Sequence, residues 1–471
     1  MKFYLTPVIR QYGLVVTVNL AVLTTGMSLV WASPSLVKLQ NEFETPLSRP
    51  ITDEEGSWVV AGGFLIGPFI NIIVGMTMDR IGRNTCILLL TIPKLCGAIA
   101  LIFANEIWMI ILCRIIMTVV DTLTLITVPI YASEMANKEH RGSLGTLLQF
   151  FSSLGVVFTL SVGPFLSYST FSIVLAIVIA ALTVPILFLP DTPFHLYSKG
   201  YTEEAIRVLT VIRGSQALAK EELEEYIASS KKTEKKLDKA DLFRNKTFLK
   251  ALGLGFLIGT GSQLIGSNAI NYYLQTILES TKTSVPSEIA SVIIGVIQLL
   301  ASVCATLIMR KFGRRTIMLT TLVGFFLGMM GLGTFFQISG SEGYEITGFM
   351  NYLPIVSLIL IVFCFSVGIG SLMWIVISEL FEGPSRAVGV STSLTSATIL
   401  IFITTKYFAF MTSALGPAPT YWFFSLMSVL LFILIAIFLP ETKGKSFSEI
   451  QIALGAKVNM DAIEANSKNN V

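Results

Sequence analysis

The sequence predicts an all-α membrane protein with twelve transmembrane helices in two pseudo-symmetric six-helix halves. Two observations lead to this prediction. Of the 471 residues, 53% are hydrophobic and only 13% are charged, a balance far from that of a soluble domain. The chain also carries three pairs of similar polar motifs, with one copy of each motif in either half.

Largely uncharged runs mark the helices, since a hydrocarbon core of about 30 Å requires roughly 20 apolar residues in an α-helix. The twelve runs have centres near Thr17, Phe69, Lys94, Val119, Gly155, Ile179, Gln263, Leu299, Gly328, Phe365, Leu400 and Leu431. The first run is too long for a signal segment, and we interpret it as a retained helix. The runs predict a first half at 1–190, a linker at 191–250, a second half at 251–440 and a tail at 441–471.

The charges between the runs predict the orientation. Segments 79–84, 138–142 and 310–315 are basic, whereas segment 40–55, after the first run, is acidic on balance. Because basic loops favour the cytoplasmic side, both termini and the linker are predicted to be cytoplasmic. The mixed charges of the linker, at i,i+4 spacing, are typical of short solvated helices.

The repeated motifs place charged residues at the cytoplasmic ends of both halves. DRIGRN at 79–84 matches RKFGRR at 310–315, the Glu134 and Arg141 pair matches Glu379 and Arg386 at the same spacing, and PDTPF at 190–194 matches PETKG at 440–444. Two such halves are typical of parallel-repeat secondary transporters, which bind substrate near the midplane between the halves.

These charges are predicted to form salt bridges that hold the halves together at the inner face and break when they part. Carboxylates and guanidiniums alternate in both halves, and guanidinium suits bidentate pairing with carboxylates. The alternative is that the arginines only anchor the topology, but this leaves the matched acids unexplained. The predicted gating residues are Asp79, Arg83, Glu134, Arg141, Arg314, Arg315, Glu379, Arg386 and Glu441.

The seventh run contains an unusual polar stretch, GTGSQLIGSNAINYY at 259–273. On a continuous helix Gln263, Ser267, Asn268 and Asn271 would fall within an arc of about 140°. Amides both donate and accept hydrogen bonds, as recognition of a hydroxylated solute requires. The cluster therefore predicts one wall of a solute cavity. The alternative is that the amides join neighbouring helices.

Two charged residues lie inside apolar runs. Lys94 is roughly 13 Å and Asp121 roughly 15 Å from the cytoplasmic ends of the third and fourth helices. An isolated charge at such depth costs several kcal/mol, so the two residues are predicted to pair. The alternative is that Asp121 faces the cavity and couples transport to protons.

Motifs along nearly the whole chain resemble those of the sugar porter family of the major facilitator superfamily, most closely the arthropod facilitated trehalose and glucose transporters. They are Gly75-x3-Asp79-Arg80-x-Gly82-Arg83, Arg114 with Val128-Pro129-Ile130-Tyr131, Glu139-His140-Arg141-Gly142, Gln263-Leu264 with Gly266 and Asn268, Gly313-Arg314-Arg315, Trp374 with Glu379-Leu380-Phe381, and Pro440-Glu441-Thr442-Lys443-Gly444.

The resemblance implies the major facilitator fold and a sugar site between the halves. The substrate-binding residues that it implies, together with the amide cluster, are Gln149, Gln263, Asn268, Asn271, Tyr272, Gln298 and Trp374. Tyr272, Tyr273 and Trp374 are expected to cover the apolar faces of a sugar ring. We expect a small-molecule sugar and membrane lipid as partners, and no nucleic acid.

Several positions depart from the family pattern. Ser262 replaces a Gln, Ser366 a Glu and Ala397 an Asn, and the tenth helix lacks the usual prolines at 369, 371 and 373. Each lost hydrogen bond to a buried hydroxyl is worth on the order of 1 kcal/mol, so these changes are expected to alter sugar recognition.

The predicted function is transport of a hexose or trehalose by alternating access, in a plasma membrane. Facilitated diffusion is preferred over proton symport because the first helix carries no acidic residue. The alternatives are proton-coupled transport through Asp121, a sugar sensor, or a carrier of a non-sugar solute. An enzyme is not predicted, since the two histidines, His140 and His195, lie in cytoplasmic segments and no nucleophile or metal cluster occurs in the membrane runs. The five cysteines predict no disulfide or metal site, and we expect no cofactor.

Overall fold

The computed structural model describes residues 6–137, 141–233, 243–341, 346–381, 383–445 and 447–454. In these ranges the chain forms α-helices and one short 3₁₀ turn, with no β-strand. Ten helical stretches are long and apolar enough to cross a membrane, and Leu147–Val162 is a shorter apolar helix. With the helix Asp53–Ile81, these stretches account for the twelve predicted runs.

The helices follow one another along the chain with short connections. The first half contains α1 (Pro7–Leu29), α2 (Ala32–Gln40), α3 (Asp53–Ile81), α4 (Arg83–Ile102), α5 (Ile107–Met135), α6 (Arg141–Val162) and α7 (Tyr168–Ile186). The linker contains α8 (Pro193–Ser198), α9 (Thr202–Arg213) and α10 (Gln216–Thr233). The second half contains α11 (Lys246–Leu264), α12 (Ser267–Tyr272), α13 (Leu274–Thr281), α14 (Ser287–Lys311), α15 (Arg314–Ser339), α16 (Leu353–Val367), α17 (Ile369–Glu379), α18 (Gly383–Ala414) and α19 (Pro417–Phe438), and α20 (Phe447–Ala453) follows.

Many large apolar side chains lie on the outside of the bundle. Trp108, Ile177 and Phe438 are each more than half exposed. A helix that is apolar all round is typical of a membrane span, because lipid contacts the outward side as favourably as protein contacts the inward side. The end of the bundle that carries segment 41–52 is called the outer end below, following the predicted orientation, and the opposite end is the inner end.

Small residues let α1 and α6 approach each other closely in the first half. A Cβ atom on Gly155 would overlap the backbone carbonyl oxygen of Leu23, and one on Gly26 would overlap that of Ser152. Backbones at this distance gain dispersion contacts that larger side chains would prevent, which is a common way of joining helices in lipid. The two glycines therefore bring α1 and α6 into direct backbone contact.

The two halves meet along two pairs of helices, α3 with α18 and α6 with α14. At the outer end, Lys406 Nζ donates to Ser57 Oγ over 2.7 Å and lies 4.3 Å from the centre of the Trp58 ring. The Gln275 backbone N–H donates to Ser33 Oγ over 2.9 Å. Between described residues, the hydrogen bonds and ring contacts that join the halves lie from the outer end to the bundle middle, so the outer face is closed.

The linker helices pack under the first half. Gln11 Nε2 donates to the carbonyl of Ile212 over 2.8 Å, and Arg213 bonds both Glu222 and the carbonyl of Met135. Burial, with the charge of Glu222 nearby, raises the pKa of Tyr226, whose hydroxyl donates to that carboxylate. The linker is thus helical, as its charge spacing indicates. The boundaries at 190, 250 and 440 remain a prediction.

Candidate functional site

The seventh membrane span is broken at the polar stretch instead of continuing as one helix. α11 ends at Leu264 and α12 begins at Ser267, with Gly266 between them in the left-handed region at φ 82°. A Cβ at this position would also come within 2.7 Å of the Phe424 ring, so both the backbone angle and the space require glycine. The continuous helical arc that the sequence predicted for the amides is therefore wrong.

The break brings Gln263 and Asn268 together. Asn268 Nδ2 donates to Gln263 Oε1, while Gln263 Nε2 donates to Ser262 Oγ over 3.0 Å. The Ser262 hydroxyl in turn contacts the sulfur of Met373 on α17, at 3.0 Å. Gln263 and Ser262 are almost completely buried, with 3% and 1% exposure. Their amides and hydroxyl form one chain of hydrogen bonds in an apolar part of the bundle.

The other predicted substrate residues lie on helices around this chain of bonds. Asn271 and Tyr272 are buried on α12, and the Tyr272 ring lies 5.9 Å from that of Phe64 on α3, across the boundary between the halves. Trp374 on α17 is 46% exposed, which leaves much of its ring uncovered by protein. α12 thus presents polar and aromatic groups next to the first half.

Gln149 and Gln298 lie on α6 and α14, the helices that pack against each other between the halves. Gln149 is half-buried. Gln298 is buried, and its Oε1 atom has no hydrogen-bond partner among the described residues. Because a buried amide oxygen without a partner costs free energy, this atom is suited to accept a hydrogen bond from a bound solute.

The tenth span is also interrupted, although it lacks the prolines at 369, 371 and 373. α16 ends at Val367 and α17 begins at Ile369, and a Cβ on the intervening Gly368 would overlap the Thr321 hydroxyl. The Ser371 hydroxyl donates to the carbonyl of Ser366 over 2.5 Å. Glycine and a serine hydroxyl therefore produce the interruption that proline would otherwise cause.

Ala397 lies on α18 where it contacts α11. Its methyl group is 3.5 Å from the position that a Cβ on Gly259 would take. Ala397 is 3% exposed, so the small side chain packs between helices. This packing explains why a small residue is tolerated at this position. The methyl side chain of Ala397 offers no polar group to a solute.

Lys94 and Asp121 are in contact between α4 and α5. Lys94 Nζ donates to Asp121 Oδ1 and, over 3.3 Å, to Thr25 Oγ1 on α1. Lys94 is 2% and Asp121 7% exposed. Farther towards the outer end, Arg114 lies 4.9 Å from the Trp31 ring and donates to Ser28. The ammonium therefore has an anionic partner and a hydroxyl inside the first half.

The inner-end charges pair within each half. Arg83 Nε lies 3.1 Å from Glu134 Oε1, and one Arg314 guanidinium nitrogen lies 3.4 Å from Glu379 Oε1. The matched motifs thus make equivalent bonds in the two halves. Each of these two ion pairs therefore lies within one half, and bridging between the halves stays a prediction.

The remaining gating residues divide into two groups. Glu441 accepts the amide N–H groups of Arg314 and Arg315 over 2.7 and 3.2 Å, so it caps α15 rather than pairing with a guanidinium, and an Arg315 guanidinium nitrogen donates to the carbonyl of Ala436. For Glu441 and Arg315 the expected side-chain salt bridge is wrong, because the helix start supplies unpaired N–H groups at this point. The side chains of Asp79, Arg141 and Arg386 lie outside the described ones.

Sequence reasoning missed the contacts that close the outer end. Lys406 is a single charge in an apolar run, so the argument applied to Lys94 would have singled it out as well. Its partners Ser57 and Trp58 lie about 350 residues away, and nothing in the sequence pairs them. Among the described residues, no group of three His, Cys, Asp or Glu side chains is placed to hold a metal ion.

Comparison with known proteins gives consistent matches. The family model described as "Sugar (and other) transporter" matches residues 28–454. The facilitated trehalose transporter Tret1 of Polypedilum vanderplanki is 28% identical over 467 residues, covering 96% of this chain and 90% of that protein. Tret1 of Anopheles gambiae is 29% identical over 475 residues, and there the match covers 96% of this chain but 57% of that protein.

Solved structures match over nearly the whole chain. The inward-open conformation of the xylose transporter XylE from E. coli has a TM-score of 0.76 at 21% identity, covering 94% of this chain and 99% of that one. The proton:xylose symporter XylE bound to 6-bromo-6-deoxy-D-glucose has a TM-score of 0.73 at 20% identity, covering 94% and 98%. The fold is the twelve-helix major facilitator fold, and the chain belongs to the sugar (and other) transporter family.

Proposed function

We propose that this protein carries a sugar, a hexose or trehalose, across the membrane by alternating access and facilitated diffusion. The observation that carries the proposal is the bonded pair of Gln263 and Asn268 at the break between α11 and α12. Each amide retains further donors or acceptors, and such groups at a broken helix between two halves are typical of transporter substrate sites. Membership of the family and the trehalose-transporting relatives support the substrate class.

The remaining predicted contacts complete the proposed site. We propose that Gln149 and Gln298 contribute to it from α6 and α14, and Asn271, Tyr272 and Trp374 from α12 and α17. The unpartnered Gln298 Oε1 supports this assignment, since a sugar hydroxyl would satisfy it. At Ser262, Ser366 and Ala397 short buried side chains stand where longer polar ones are usual, which leaves fewer groups to bond a solute.

The contacts that close the outer end are consistent with one state of an alternating-access cycle. Lys406 and Ser57, with Gln275 and Ser33, join the halves at the outer face, and these contacts must break when the site opens outward. We propose that the inner-end charges, including Asp79, Arg141 and Arg386, then re-form bonds between the halves. The orientation that we propose places both termini in the cytoplasm and the protein in the plasma membrane.

Uptake of labelled glucose and trehalose into proteoliposomes tests the function. Gln263→Ala should raise KM about fivefold, since it removes a hydrogen bond of on the order of 1 kcal/mol. Gln337→Ala, which changes an exposed amide on α15, is the matched control and should leave uptake unchanged. Saturable binding of both sugars without flux would favour a sensor. Uptake kinetics unchanged in Gln263→Ala would show that Gln263 does not bind the substrate.

The contact of Lys94 with Asp121 favours uniport over proton coupling. The Asp121 carboxylate is bonded by the Lys94 ammonium and buried inside the first half, which suits a structural role. Sugar uptake should therefore be the same at mildly acidic and neutral external pH. Uptake that rises on acidification in wild type, and loses this dependence in Asp121→Asn, would instead establish proton coupling.

A further inference from the structure

A cleft of about 270 Å³ lies at the outer end, and neither Gln263 nor Asn268 lines it. One wall belongs to the first half and includes Gln40 and Asp53, at the ends of α2 and α3. The other belongs to the second half and comes from α13, α18 and α19. The volume is slightly below the 300–1,000 Å³ common for small-molecule pockets, so the cleft suits a compact solute.

The floor of the cleft is aromatic. Tyr273, Phe408 and Tyr421 line it, with ring centres 5.0 Å apart for the first two and 6.3 Å for the last two. All three residues are at most 5% exposed. Tyr421 and Phe408 also stack on Phe336 and Phe424, so the rings form a packed apolar floor that offers dispersion contact to a solute.

The rim of the cleft supplies polar groups, one of which has no partner. The buried Thr276 Oγ1 makes no hydrogen bond with any described residue. By contrast, the nearby Ser280 hydroxyl donates to the carbonyl of Ile277, as helical serines commonly do. Opposite, Gln40 Nε2 donates to Asp53 Oδ1 over 2.8 Å and keeps a second N–H and its carbonyl oxygen available.

We propose that this cleft is a second binding site, which takes a neutral polyhydroxylated solute the size of a monosaccharide. The Thr276 hydroxyl and the Gln40 amide would bond solute hydroxyls, and the apolar floor would contact the other side of the solute. An organic cation is the competing ligand, because Asp53 and aromatic rings also attract positive charge. The site favours the neutral solute, since Asp53 is exposed and already accepts a bond from Gln40.

The site exists only while the outer ends of the halves are together, because its two walls come from different halves. An occupant therefore stabilises the outer-closed conformation by its binding free energy. This makes the cleft distinct from the transport site, which must remain occupied as the halves rock. The inference goes beyond the proposed transport and does not require that the solute be transported.

Cysteine protection in the purified full-length protein tests the site. Ser413→Cys places a thiol at the cleft, and Ser341→Cys places one on another outer loop as the matched control. Millimolar glucose should slow maleimide labelling of residue 413 at least twofold and leave residue 341 unchanged. The same protection should persist in a Gln263→Ala background, which separates this site from the proposed transport site.

Thr276→Val adds a second measurement that does not depend on labelling alone. This variant should fold with an unchanged or higher Tm, because it removes an unpaired buried hydroxyl, and it should weaken glucose protection of residue 413 about three- to tenfold. Four results would each overturn the proposal. They are equal protection at both cysteines, no protection at residue 413, loss of protection with Gln263→Ala, and protection by tetramethylammonium but not by glucose.

Discussion

The Lys94 and Asp121 pair allows a direct test of whether a buried charge in the membrane interior requires its partner. Asp121→Ala removes the carboxylate that Lys94 Nζ bonds and leaves the ammonium with Thr25 Oγ1 as its remaining described partner, at 3.3 Å. Lys94 is 2% exposed, so water does not replace the lost charge. The variant therefore creates an unpaired charge at mid-depth in the first half.

The magnitude follows from the environment of the ammonium. Breaking a buried pair by removing one partner typically costs about 3–5 kcal/mol, and a charge at the bilayer centre costs about 2.5–3.5 kcal/mol on insertion scales. Removing both charges avoids most of this cost. Lys94→Met combined with Asp121→Leu should therefore be at most about 1 kcal/mol less stable than wild type.

Thermal unfolding of the purified proteins, followed by tryptophan fluorescence in one detergent, compares wild type, Asp121→Ala and the double variant. Asp121→Ala should lower Tm strongly and reduce the monodisperse fraction, and the double variant should restore both. A Tm for Asp121→Ala equal to that of wild type would refute the argument, since it would mean that the ammonium is hydrated or neutral. A double variant no more stable than the single one would show that packing, rather than charge, explains the loss.

Three further predictions concern packing, capping and closure. Gly155→Ala should destabilise the protein by about 1–3 kcal/mol because its Cβ overlaps the carbonyl of Leu23, whereas Gly145→Ala on the same helix has open space and should leave Tm unchanged. Glu441→Ala should cost about 1–3 kcal/mol, because the first two amide N–H groups of α15 lose their acceptor, and an unchanged Tm would argue against this cap. Lys406→Gln loses a cation–π contact with Trp58 worth about 0.5–2 kcal/mol, which weakens closure of the outer end. The distance between spin labels on the outer loops of the two halves should therefore increase. An unchanged distance distribution would show that Lys406 does not help to close the outer end.

Much of the fold was predictable because the signals are local or repeated. Runs of apolar residues set by bilayer thickness predicted the twelve spans, and the matched motifs predicted two similar halves. The depth of Lys94 and Asp121, counted at 1.5 Å per residue, was enough to predict that they meet. Gln263 and Asn268 were recognisable as a polar pair, since amides are rare in so apolar a segment.

The geometry of the site was less predictable, because it depends on what packs behind each backbone. The breaks at Gly266 and Gly368 arise where another helix leaves no room for a Cβ, and the sequence contains many glycines that cause no break. Glu441 was expected to bind a guanidinium, yet it caps a helix start, since unpaired N–H groups compete for the same carboxylate.

By itself, the sequence determined the number of spans, the repeat, the charges that must find partners and the family to which the chain belongs. Only the tertiary structure decided that the amides meet across a break and that Arg83 bonds Glu134 while Arg314 bonds Glu379. It also decided that Lys406 closes the outer end against Trp58. Hydrophobic length and periodicity act along the chain and can be read from it, whereas pairing across hundreds of residues is set by the packing of the two halves.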